Sequence, residues 1–234
     1  MACKWVLGDS GVMGVFDFLL AKRLRRGPTL LLPSSVTPRT VLETVRLHSP
    51  QAAPQGRAIR IDDRMRLRGP YHVCRELALL ARLPVGWPVA YVADAPDPEA
   101  EIDPAAVVAG LAERLGGLYR PRRAERSPDL FAVTGRALPL ERLTGLLPGA
   151  RPRKLPGFDI TLLSAGWSPL EIAFCGGADG EMDYEVSVAR GPITPAVVEQ
   201  AERLALAIGE ASGGVVRDHN GFRLATPARQ YSTP

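Results

Sequence analysis

One arrangement occurs twice in this chain. Near residues 88–120 the apolar run Val89-Ala90-Tyr91-Val92 leads through an acidic stretch to Asp103-Pro104, an apolar-periodic segment, Gly116-Gly117 and Leu118-Tyr119-Arg120. Near residues 183–217 the alternating run Tyr184 to Val188 leads to Thr194-Pro195, a longer periodic segment, Gly213-Gly214 and Val215-Val216. In both copies the residue before proline offers an oxygen that caps a helix, and proline suits the first helical turn because its missing N–H would have no partner there. Glycine then accepts the left-handed conformation that ends a helix. Strand, helix, strand in one order, twice over, restricts the chain to folds made of two related halves.

The remaining segments extend both copies. In the first half, residues 3–7 read as a strand and Phe16, Leu19, Leu20 and Leu24 as a helix whose last turn gathers Lys22, Arg23, Arg25 and Arg26, where cations suit the helix dipole. Thr29 to Leu32 is a buried strand, Thr37-Pro38 opens a helix with Val41, Leu42, Val45 and Leu47 on its apolar side, and Ala58 to Ile61 alternates as a strand. A helix is expected from about Tyr71 to Leu83, closed by Pro84 and Pro88. The second half follows a basic linker, Arg120 to Arg126, with strands at 130–133, 158–163, 170–174 and 184–188, a short helix at 139–147, and a turn at His219-Asn220-Gly221 before Phe222 to Leu224. Each half then reads strand, helix, strand, strand, helix, strand, with an extra helix at 71–83 in the first and an extra strand near 170 in the second. The expected fold is α+β, two tandem ferredoxin-like (βαββαβ) halves with an extra N-terminal strand-helix, divided as 1–122, 127–226 and a tail at 227–234.

Composition permits this and narrows the chemistry. A chain of 234 residues that is 46% apolar and 23% charged can bury a core without staples. The net charge is +4, which raises the question of nucleic acid. However, Lys occurs only at positions 4, 22 and 154, and an arginine-dominated balance with abundant Ala, Gly and Pro resembles GC-rich bacterial coding. Cys3, Cys74 and Cys175 lack any C-x-x-C pairing, so neither a disulfide framework nor a metal or other cofactor is expected. No segment reaches the ~20 apolar residues of a membrane span. The expected setting is a reducing cytoplasm, without a membrane partner.

Candidate sites are few. GDSGVMG places Gly8, Ser10, Gly11 and Gly14 between a predicted strand and a predicted helix, where backbone amides can hold a phosphate. Its G-x-x-G-x-x-G spacing matches neither the dinucleotide fingerprint nor the Walker loop, and a plain strand-to-helix turn is the simpler reading. His48, His72 and His219 sit at no metal-ligand spacing, and Cys175 with Asp218 and His219 would form a thiolate-imidazole site only if the fold joined them. The acidic runs 94–103 and 179–183 lack the calcium-loop pattern and read as solvated linkers. Basic groups cluster around Arg60, at Arg120, Arg122 and Arg123, and at Arg153. Converging on a cleft between the halves they would suit RNA, although Tyr91, Tyr119 and Phe131 stand apart rather than forming an RNA-stacking string.

The ending ALAIGEASGGVVRDHNGFRL, residues 205–224, resembles the helix, Gly-Gly, Val-Val, Asp close of several immunity-type bacterial domains associated with polymorphic toxins. That resemblance implies a non-catalytic protein that binds a protein partner. The function expected from the sequence is therefore a non-enzymatic cytoplasmic binding or regulatory protein with a protein partner. The alternatives are a phosphate- or nucleotide-binding enzyme using residues 8–14 and an RNA-binding protein using the arginine clusters.

Overall fold

The two Gly-Gly pairs do the same work in both copies. Gly116 (φ +62°) and Gly213 (φ +64°) end their helices in the left-handed conformation. The N–H of the next residue turns back to the helix, Gly117 to Ala112 O at 2.8 Å and Gly214 to Gly209 O at 2.8 Å. A Cβ on Gly117 would lie 2.5 Å from Leu31 O, and one on Gly214 would lie 2.6 Å from Thr134 O. Only glycine lets either helix end press on the backbone of the strand beneath it.

The computed structural model describes residues 15–94, 103–120, 129–177 and 180–224. The chain divides into two compact units, residues 1–123 and 124–234. Unit 1 runs α1 (Val15–Arg26), β1 (Thr29–Leu32), α2 (Pro38–His48), β2 (Ala53–Gln55), β3 (Ala58–Arg60), β4 (Arg66–His72), α3 (Arg75–Leu80), β5 (Val89–Asp94), α4 (Pro104–Leu115) and β6 (Leu118–Arg120). Unit 2 runs β7 (Asp129–Gly135), α5 (Leu140–Leu146), β8 (Arg151–Lys154), β9 (Thr161–Ser164), β10 (Leu170–Gly176), β11 (Met182–Val188), α6 (Pro195–Ser212) and β12 (Val215–Asp218). Each unit holds one six-stranded antiparallel sheet. The orders are β6-β1-β5-β4-β3-β2 and β12-β7-β11-β10-β9-β8. Position for position, the two orders are the same.

The helices start as their caps dictate. Thr37 Oγ1 accepts from Thr40 N at 3.2 Å, Asp103 Oδ1 from Ala105 N at 2.8 Å, and Thr194 Oγ1 from Val197 N at 3.3 Å. In unit 1, α2 and α4 pack together and α4 lies on β1, β5 and β6, while α1 packs against α3 and β5. Neighbouring residues of β1 serve different layers, because successive strand side chains alternate in direction. Leu31 joins Ala90 and Val92 in a cluster with Leu24 of α1 and Leu77 and Ala78 of α3, whereas Leu30 and Leu32 point the other way and are equally buried. A sheet covered on both faces gives continuous apolar strands, and Leu30-Leu31-Leu32 and Ala90-Tyr91-Val92-Ala93 are such runs. Each fully buried Leu here contributes about 1.5–3 kcal/mol.

Unit 2 keeps one face. Val133, Ile172, Tyr184 and Val186 pack with Leu143 of α5 and Ala201, Ala205 and Ile208 of α6. Among the described residues of this unit no helix covers the other face, whose β10 and β11 positions are Glu171, Ala173, Cys175, Asp183, Glu185 and Ser187. The alternation of DYEVSV and LEIAFC records that one-sided burial.

Three sequence expectations need correction. The helix expected at 71–83 spans only Arg75–Leu80, because Arg66–His72 form β4 against β5. Tyr71, Val73, Leu77 and Leu80 do meet one core, and this produced the helical spacing, but a strand-helix boundary runs through the series. A Cβ on Gly69, inside β4, would lie 2.7 Å from Ala90 O, so glycine there allows β4 and β5 to approach closely. β2 and β8 were not expected; each carries a proline, Pro54 and Pro152, and both lie at sheet edges, where proline is tolerated. The strand expected at 158–163 begins at Thr161. The strand expected at 3–7 and most of both linkers lie outside the described residues, as does the tail.

Candidate anion-binding site

Three chain segments of unit 1 end at one place. The first is the C-terminus of α1, where Arg25 and Arg26 are exposed around buried Leu24. The Thr29 hydroxyl donates to Leu24 O at 2.8 Å and to Gly27 O at 3.0 Å, so these helix-end carbonyls are met without either arginine. The second is the end of α3. Arg82 N donates to Leu79 O at 3.1 Å and Leu83 N to Ala78 O at 2.8 Å, the paired bonds of a Schellman motif. The residue in the left-handed position of that motif, usually glycine, is Arg82 (φ +56°). The third is β6, the edge strand beside β1, which carries Arg120 opposite Thr29.

Between them lies a cavity of about 750 Å³, lined by Leu24, Ala81 and Leu83 at its buried floor and by Arg25, Arg26, Arg82 and Arg120, among others. The volume falls in the range of small-ligand sites. Arg120 Nη1 donates to the backbone oxygen of Arg82, which brings two like-charged residues side by side. Among the described residues, no carboxylate lines the cavity. Among the described residues the ion pairs are Arg39–Glu43, Arg60–Asp63, Arg68–Asp94 and Arg203–Glu199, none of them with a rim arginine. The ends of α1 and α3 each bring about half a negative charge, against four guanidinium groups. About three net positive charges remain. Guanidinium forks match phosphate oxygens in pairs, so the arrangement suits a phosphate-bearing ligand. Because the rim is exposed, affinity will be moderate and salt-sensitive.

Of the described arginines singled out from sequence, Arg120 is the one on this rim. Arg60 on β3 is three strands away across β4, β5 and β1, held to Asp63 at 3.1 Å, and Arg153 belongs to the other unit, on the exposed edge strand β8. Gly8, Ser10, Gly11, Gly14, Arg122 and Arg123 lie outside the described residues. Tyr119 borders the cavity through its backbone, since its register partner is Leu30, on the opposite face of the sheet from Leu31. Cys175 and the Asp218–His219 turn are not joined, because β11 and β7 lie between β10 and β12. Asp218 instead accepts from Asn220 N and Phe222 N, at 2.9 and 3.0 Å. Sequence reasoning missed Arg25, Arg26 and Arg82. The first two pass as ordinary dipole partners, and Arg82 falls inside the over-long helix.

Unit 2 holds a different electrostatic feature. Ser187 sits between Asp129 of β7 and Glu171 of β10 in register, with Glu185 two residues away on the same face. A hydrogen bond with Asp129, then burial and repulsion from Asp129 and Glu171, push Glu185 up to about 7. Among the described residues no three His, Cys, Asp or Glu are placed to hold a metal ion, and no helix is long and apolar enough to cross a membrane. No known protein family, curated protein or solved structure matches the chain.

Proposed function

We propose that the protein is a non-enzymatic cytoplasmic binding protein, made of two tandem ferredoxin-like halves, that takes a phosphate-bearing ligand in the arginine-rimmed cavity of unit 1. The observation that carries this reading is the convergence of Arg25, Arg26, Arg82 and Arg120 from three elements on one apolar-floored cavity that no carboxylate lines among the described residues. The ferredoxin-like reading is supported by unit 2, where β7, α5, β10, β11, α6 and β12 leave β11 between β7 and β10 and β12 outside β7. β8 and β9 extend that sheet as a hairpin, and the equal strand order of unit 1 supports duplication. The test is calorimetric titration with pyrophosphate. Binding should weaken about tenfold or more in the Arg82→Ala/Arg120→Ala double variant, which removes two charge-assisted contacts. Absence of binding by the unaltered protein, or equal binding by the variant, refutes the reading.

A second reading keeps the protein partner that the 205–224 segment implies through its likeness to immunity-type domains. It draws on the face of unit 2 on which none of that unit's described helices packs, where Asp129, Glu171 and Asp183 would attract a cationic partner. A native partner that co-purifies in equal amount with the unaltered protein should be lost on Glu171→Arg; its retention refutes this reading.

A further inference from the structure

A second cavity, about 370 Å³, adjoins the first along α1. It is lined by Lys22, Arg23, Arg26 and Asp94, with Leu19, Gly27, Val92 and Ala93. Arg26 and Gly27 line both cavities, so positive charge continues from Arg82 and Arg120 through Arg26 to Lys22 and Arg23. Lys22 and Arg26 are four residues apart on one helix and therefore neighbours on its surface. Among the described residues, the one carboxylate of the second cavity is Asp94, which accepts from Arg68 Nε at 2.7 Å, and this offsets its charge. Arg23 Nη1 donates to the Tyr71 hydroxyl at 3.4 Å and keeps its other donors. Four cations in the last five residues of α1 exceed what its dipole, about half a charge, requires.

We infer that the ligand is a chain of three or more linked phosphate groups lying along the C-terminal half of α1, its end in the larger cavity and its continuation in the smaller. This rests on the cavity reading above and adds the ligand's length. A single phosphate would reach one cavity and leave Lys22 and Arg23 without a role. Two sources share the chemistry, an inorganic polyphosphate and a short single-stranded oligonucleotide.

The experiment is a calorimetric series of pyrophosphate, tripolyphosphate and tetrapolyphosphate at one salt concentration. Affinity should rise about tenfold or more from the first to the last. In Lys22→Ala/Arg23→Ala that gain with length should collapse, whereas Arg39→Ala on α2, an exposed arginine outside both cavities, should keep it. Thermal unfolding of each variant checks that the surface substitutions leave the fold intact. Equal affinity along the series, with binding still sensitive to Arg82→Ala, overturns the inference and leaves the cavity reading standing. No binding of any member removes both. An oligonucleotide with matched phosphate number separates the sources: tighter binding than the inorganic chain, with a salt slope of about 0.7 per phosphate contact, identifies nucleic acid, and weaker binding identifies polyphosphate.

Discussion

Arg82→Gly should make the protein no less stable and a worse binder. Arg82 holds φ +56° at the position that ends α3, and this conformation costs an L-residue about 1–2 kcal/mol. Glycine relieves that cost but brings greater freedom to the unfolded chain, worth about 0.5–1 kcal/mol in the opposite sense. The net expectation is a stability gain of about 0–1.5 kcal/mol, read as a urea midpoint equal to or above that of the parent. The Schellman bonds from residues 82 and 83, and the carbonyl that accepts from Arg120, are backbone groups and survive. The guanidinium does not. At an exposed rim its loss should cost about 1 kcal/mol of pyrophosphate affinity, roughly fivefold. Arg82→Ala separates the two effects: alanine keeps the left-handed cost, so it should lose the same affinity with no stability gain. If Arg82→Gly unfolds more easily by more than about 1 kcal/mol, or binds pyrophosphate as the parent does, then the view that a strained backbone is retained for its side chain is wrong.

Gly117→Ala and Gly214→Ala should each destabilise by about 1–3 kcal/mol, because their Cβ atoms would lie 2.5 Å from Leu31 O and 2.6 Å from Thr134 O; parental urea midpoints for both would contradict the close contacts. Glu185 is raised from 4.5 to about 7 by its hydrogen bond with Asp129, by burial and by neighbouring carboxylates, so the folded state holds a proton that the unfolded chain releases. Its contribution is complete below the unfolded value and is lost as pH rises through about 7; Glu185→Gln should flatten urea midpoints between about pH 5 and pH 8, and an unchanged slope would count against the shared proton. Arg151→Thr/Arg153→Val on the exposed edge strand β8 should promote association in light scattering, since charge and Pro152 now guard that edge; a monodisperse variant would show that the edge needs no guard.

What could be read from the sequence follows which side chains touch which layers. Thr37-Pro38, Asp103-Pro104 and Thr194-Pro195 announce their helices because a cap is a local bond, complete within three residues. The Gly-Gly pairs are as local, and so the repeated plan was visible. β4 was not, because Arg66, Arg68, Gly69 and Pro70 form a strand only where β5 supplies partners and Gly69 passes beneath Ala90 O. The cavity was hidden for a related reason. Its four arginines lie in segments ending near residues 26, 82 and 120, and no window of sequence contains all three.

The two units also explain why the cavity lies where it does in unit 1. Their sheets share one strand order, and α2 and α4 stand in the chain where α5 and α6 do. Unit 1 differs by α1 and α3, which have no counterparts among the described residues of unit 2. These two helices cover the sheet face that unit 2 leaves without a helix, and they convert half-polar strands into fully buried ones such as Leu30-Leu31-Leu32. Covering a sheet with two short helices leaves a gap where they stop short of its edge strand. At that gap, beside β6, both helices end, and their last residues, Arg25, Arg26 and Arg82, meet Arg120. A basic site at this position therefore requires the added layer, and a copy of the shared plan alone cannot form it.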